Sequence, residues 1–201
     1  LMEQGRPEEA EPLIRSVVAL QSRARGAEDA ATLNARNTLG NVWFELGRIE
    51  EAEQSHREVL AIRVRFAGED SLDAAYSMNG LASVLRWKGD YAGAQALLRK
   101  IVEFRVRVLG ADHPETLGAQ ANLALALSES GSQDEAAGRA EQVWTARIRV
   151  LGGEHPVTLA SAHTLATIQR RQGGLGEAEA LLAAASEAAQ RALAPTHPTA
   201  L

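Results

Sequence analysis

The chain has no cysteine in its 201 residues, which excludes disulfides and thiolate metal sites. Aromatic residues make up only 4%, and β-branched strand formers are scarce beside abundant alanine, the best helix former. That balance argues against a sheet protein. A cationic excess is also missing: the formal charge is -5 and the basic residues are nearly all arginine, so the attraction that dominates nucleic-acid affinity is absent. No DNA or RNA partner is expected. No apolar run approaches the roughly 20 residues of a membrane span, so no membrane partner is expected either, and the expected location is the cytoplasm. Apolar residues, by contrast, supply 45% of the chain, enough for a substantial core in one or two domains.

The sequence is self-similar. Gly5, Gly47, Gly89, Gly131 and Gly173 stand 42 residues apart, as do Ala10, Ala52, Ala94, Ala136 and Ala178. Gly26, Gly68, Gly110 and Gly152 keep the same interval, with Ala194 in the fifth copy, and so do Leu39, Leu81, Leu123 and Leu165, each followed by Gly or Ala. No insertion disturbs the register, as a stack of equal structural units requires.

Each unit reads as two helices. One is expected over about Asp73–Lys88, where Tyr76, Leu81, Val84 and Leu85 share a face and Gly89 stops the helix. A second is expected over about Tyr91–Leu109, ending at Gly110. Asp29, Ser71, His113, His155 and His197 form a start column, followed in three copies by Pro114, Pro156 and Pro198. Asp90 and Ser132 are expected to cap second helices, with Pro7 at a first helical position. The small columns are expected to let paired helices approach within about 8–10 Å, Ala52 against Gly40 and Ala94 against Ala82.

These features resemble the tetratricopeptide repeat, and more narrowly its 42-residue variety found in kinesin light chains and many bacterial regulatory proteins. The resemblance is carried by ANLALAL at 121–127, EAEALL at 177–182, RVRVLGADHPETL at 105–117 and RIRVLGGEHPVTL at 147–159, and it spans the chain. The first two links depart from the His-Pro pattern, reading GAEDAATL and GEDSLDAA. The resemblance implies an all-α, α-α superhelix, a solenoid of antiparallel helix pairs with a 42-residue period. A single array is expected: a partial unit over 1–30 and full units over about 31–72, 73–114, 115–156 and 157–198, with both ends cut mid-unit. The chain is therefore expected to be a piece of a longer repeat protein.

The resemblance also implies a concave wall of first helices along which an extended peptide lies. Carried onto this sequence, the inward candidates are Asn34, Asn37 and Asn41 in one helix, and Tyr76, Asn79, Ser83 and Arg86 in the next. Asn122 and Glu129 follow in the third, then His163, Thr167 and Arg170 in the fourth. An amide offers donors and an acceptor together and suits a peptide backbone; the alternative is a merely solvated helix face. Family members that clamp a terminal carboxylate need Lys or Arg where this chain has Asn37, Gly80, Gly118 and Asn122, so a protein partner or an internal, extended peptide is expected. Arg86, Arg170 and Arg171 either pair with acidic ligand residues or complement their helix dipoles, while Phe44 and Trp87 are candidate apolar anchors. Arg63, Arg105 and Arg147, with Arg65, Arg107 and Arg149, form a basic column at second-helix ends whose expected role is structural.

No catalytic residues, cofactor or metal are expected. Three of the five histidines are a repeat column 42 residues apart and cannot converge on one ion, and GGLGEAE at 173–179 is a helix–helix turn by register. Self-association through exposed repeat ends, packing against neighbouring domains, and regulation of an attached enzyme are the alternatives to peptide recognition.

Overall fold

The computed structural model describes residues 6–192; Gly5, Ala194, His197 and Pro198 of the repeat columns lie outside them. Among the described residues there are nine helices and no strand: α1 Pro7–Arg25, α2 Ala30–Glu45, α3 Ile49–Ala67, α4 Leu72–Trp87, α5 Tyr91–Leu109, α6 Pro114–Glu129, α7 Gln133–Leu151, α8 Pro156–Gln172 and α9 Leu175–Ala192. Two compact units divide the chain between Leu97 and Leu98, inside α5. In the first, α1 packs on α2, α2 on α3 and α3 on α4; in the second, α6 packs on α7, α7 on α8 and α8 on α9. α2 also touches α4, and α6 touches α8. The helix expected over Asp73–Lys88 lies one residue earlier, and Tyr91–Leu109 stands as expected.

Turns within a pair are three residues long after α2, α4 and α6, and two residues long after α8. After α2, the Gly47 N–H donates to the Phe44 carbonyl and the Arg48 N–H to the Trp43 carbonyl at 2.8 Å, a Schellman closure that needs the left-handed conformation of Gly47, φ 73°. Links between pairs use another geometry. Gly68, at φ 78° and ψ 168°, occupies a region essentially closed to residues with a Cβ. The departing links keep this plan. Asp29 accepts from the Ala31 N–H and the Ser71 hydroxyl from the Ala74 N–H, while His113 and His155 do the same through Nδ1 from Glu115 and Val157. A carboxylate, a hydroxyl and an imidazole nitrogen are interchangeable acceptors for one orphan N–H. Asp90 caps through the Gly93 N–H. Ser132 does not cap: its side chain makes no such bond.

Two threonines tie links to their helices, Thr32 donating to the Gly26 carbonyl at 2.9 Å and Thr116 to the Gly110 carbonyl at 2.8 Å. The basic columns then join helix to helix. Arg63 donates to the Asp73 carbonyl, Arg105 to the Glu115 carbonyl and Arg147 to the Val157 carbonyl, each ten residues ahead in the first turn of the following helix. Arg63 and Arg147 also reach Ser77 and Ser161. The second column points to the preceding link instead, pairing Arg65 with Glu28, Arg149 with Asp112 and Arg191 with Glu154.

Burial decides which of these matters. Arg63 is 4% exposed and satisfies buried acceptors, whereas Arg65 and Glu28 are half-exposed, where an ion pair contributes about 0–1 kcal/mol. Arg63→Ala is expected to lower stability by roughly 2–3 kcal/mol and Arg65→Ala by under about 1 kcal/mol, as read from urea unfolding. Equal effects would refute this ranking.

Candidate functional site

In the first unit the candidates lie on α2 and α4. Asn34 accepts from the Arg63 guanidinium, and the same cation stands 5.9 Å from the centre of the Tyr76 ring. Burial pushes Arg63 below its ordinary value, while Asp73 and Tyr76 oppose the shift. A cation rooted in α3 thus fixes one residue from each of two first helices. Tyr76 stays 44% and Trp87 65% exposed. Between them every residue of α4 is buried except Asn79, Ser83 and Arg86, which makes a single stripe at i, i+3, i+7, i+10 and i+11.

Hydroxyls on these helices donate to their own backbone four residues back: Thr38 to Asn34, Ser83 to Asn79, Thr164 to Ala160 and Thr167 to His163, at 2.9–3.2 Å. With its proton so used, each hydroxyl oxygen keeps lone pairs that can accept.

Asn37 is a correction. Expected on the accessible wall, it is 1% exposed and bonded to His56, whose Nδ1–H donates to Oδ1 at 3.1 Å. His56 comes from α3 and fills the space that two glycines leave: a methyl group at Gly40 would lie 2.9 Å from Cε1, and one at Gly80 2.7 Å from Nδ1. The side chain nearest to Gly40 is that of His56. Asn37 Nδ2 and His56 Nε2 remain buried without hydrogen-bond partners. Burial, and secondarily the charge of Arg63, lowers the imidazole to about 4, so it is neutral near pH 7. One signal in the sequence pointed here: His56 breaks a column otherwise held by Ile14, Leu98, Ala140 and Leu182.

In the second unit, Asn122 and Glu129 are half-buried on α6, Thr167 is half-buried on α8, and His163 and Arg170 are exposed. Asn41, in the first unit, is half-buried too. Arg171, a candidate for pairing with an acidic ligand, instead donates to the Ser128 hydroxyl at 3.1 Å. Among the described residues no cluster of three His, Cys, Asp or Glu is placed to hold a metal ion, and no helix is long and apolar enough to cross a membrane.

Repeating helix pairs with these link and column contacts have clear relatives. Models of the tetratricopeptide repeat match residues 1–63, 73–147 and 158–199. The chain belongs to the tetratricopeptide-repeat family. Two crystal structures of kinesin light chain nearly identical TPR-like repeats from Podosopora anserina are each 28% identical to it. They superpose with TM-scores of 0.77 and 0.75, over 94% and 96% of this chain and 89% and 91% of theirs. BtubC (BKLC) of P. vanneervenii, 19% identical, shares the fold at a TM-score of 0.79 over 98% of this chain and 78% of its own. No curated protein matches. Tetratricopeptide repeats of this kind support a role as a scaffold for protein–protein interaction.

Two measurements check the His56 geometry. The neutral ring contributes its full stabilisation above its unfolded value near 6.5 and loses it as pH falls through the folded value of about 4, a loss of about 3 kcal/mol. Urea midpoints are expected to fall more steeply over that range in the native chain than in His56→Leu. Gly80→Ala is expected to cost about 1–3 kcal/mol alone and much less in a His56→Ala background; additive costs would show that the two do not touch.

Proposed function

We propose that this tetratricopeptide-repeat scaffold recognises an extended peptide segment of a partner protein along its first helices. The observation that supports this is the α4 stripe, in which exposed Tyr76 and Trp87 bracket Asn79 and Ser83. Eleven residues of helix span about 16 Å, the reach of about five residues of extended chain at roughly 3.3 Å each. Large aromatic anchors contribute more than single polar contacts, about 2 kcal/mol or more against 0.5–1.5, so the rings set affinity and the amides set backbone register. Ser83 and Thr167, their protons already donated, would accept ligand N–H groups. In the second unit Asn122, His163 and exposed Arg170 offer donors of the same kind, and Asn37 is replaced in this role by Asn34 and Asn41.

With a peptide selected from a random library, Trp87→Ala is expected to weaken binding about 30-fold and Asn79→Ala about fivefold, by calorimetry, with the thermal transition unchanged. Native affinity in both variants would remove the stripe from the binding face.

A second reading, association between copies, is favoured by α1, where Leu13, Val17 and Leu20 recur at i, i+4 and i+7 with exposures of 57%, 39% and 69%. Sedimentation of native chain beside Leu13→Glu and Leu20→Glu distinguishes it.

A further inference from the structure

Within the second unit, α6 and α7 flank an open groove of about 570 Å³ lined by Leu117, Gln120, Gly138, Glu141, Gln142 and Thr145, with Ala146 and the Asp112–Arg149 pair at its edge. Gln120 lies about 200° around α6 from Asn122, so this groove is distinct from the α6–α8 face. Its volume falls in the roughly 300–1,000 Å³ range of ligand clefts.

The repeat itself supplies a control. Gln120, Gly138 and Gln142 stand two periods after Arg36, Gln54 and Glu58. In the first unit those three residues satisfy one another: Arg36 and Gln54 both donate to Glu58, and the groove they border is about 270 Å³. The second unit replaces that closed triad with two amides above a glycine, at which an added Cβ would meet nothing within 4 Å. Among the described residues, Gln120, Gln142 and Thr145 make no side-chain hydrogen bond and Glu141 makes no ion pair, while Arg149 is neutralised by Asp112. The groove therefore combines unspent amide donors and acceptors, an apolar floor of Leu117 and Ala146, and one uncompensated negative charge.

We infer that the α6–α7 groove is a second recognition site, which takes an extended segment of a partner protein carrying a lysine or arginine opposite Glu141. The amides of Gln120 and Gln142 serve its backbone N–H and C=O groups, and Gly138 leaves room for the chain to lie against α7. The site is independent of the α4 stripe.

The test is a selection of random heptapeptides on the immobilised full chain, followed by affinities of the enriched peptides for three variants. Gln120→Arg/Gly138→Gln/Gln142→Glu installs the closed triad of the first unit, Glu141→Gln removes the charge, and Asn79→Ala/Asn122→Ala alters only the first-helix faces. Peptides bearing Lys or Arg are expected to lose at least about tenfold in affinity in the triad variant, several-fold in Glu141→Gln, and nothing in the asparagine variant. Thr145→Arg blocks the same groove from an exposed position and keeps the test decisive if the triad variant fails to melt like the native chain. The inference is overturned if no peptide is enriched, or if the enriched peptides bind the triad and Thr145→Arg variants as they bind the native chain. Loss confined to the asparagine variant would overturn it too, while supporting recognition by the first helices.

Discussion

A guanidinium at the joint between successive helices, buried for Arg63 and Arg105 and half-buried for Arg147, organises each unit. It is held by carbonyl oxygens in the first turn of the helix ahead, supplemented in two cases by a serine hydroxyl one turn on. Removing an arginine from water is costly, and each of these arginines also approaches the positive end of the next helix, which disfavours a cation. Buried acceptors at hydrogen-bond distance offset both costs, and they exist only if the following helix starts at one place and one rotation. Arg63 shows the consequence. Satisfying that cation also orients Asn34 and Tyr76, so the polar features of the exposed face are set by the same contact that seats the helices.

Most of the fold was written in the periodicity. Columns at 42-residue spacing announced paired helices, and the glycine and cap columns marked their ends to within a residue or so, because turn closure and capping are local chemistry. The links lacking His-Pro follow for the same reason: the structure needs an acceptor at the cap, and aspartate or serine provides one. Ser132 shows the limit, since a residue suited to capping need not cap when the backbone closes the turn by itself.

The candidate site was legible only where exposure follows from helix phase. Asn79, Ser83 and Arg86 occupy one stripe of α4 by spacing alone, whereas Tyr76, grouped by spacing with Leu81, Val84 and Leu85, stands exposed beside that stripe. Asn37 shares a column with Asn79 yet is buried, because burial there depends on what α3 inserts, and only in that repeat is the inserted residue a histidine facing two glycines. Phase within one helix says nothing of a side chain arriving from another. Hydroxyl donors turned inward and Arg171 bonded to Ser128 escaped the sequence for a related reason: residue type gives hydrogen-bonding capacity, and neighbours decide how it is spent.

The two arginine columns also act as rulers. One spans ten residues forward, from Arg63 to Asp73 and from Arg105 to Glu115, and the other 37 back, from Arg65 to Glu28 and from Arg149 to Asp112. Copying or deleting a whole 42-residue block leaves both spans intact, whereas gaining or losing one residue within a link always changes the forward span, and changes the backward one too when it falls after the acidic residue. Unequal recombination between blocks is thus nearly silent for this architecture and a small insertion is not, so the number of repeats is free to drift over generations while their length is held fixed.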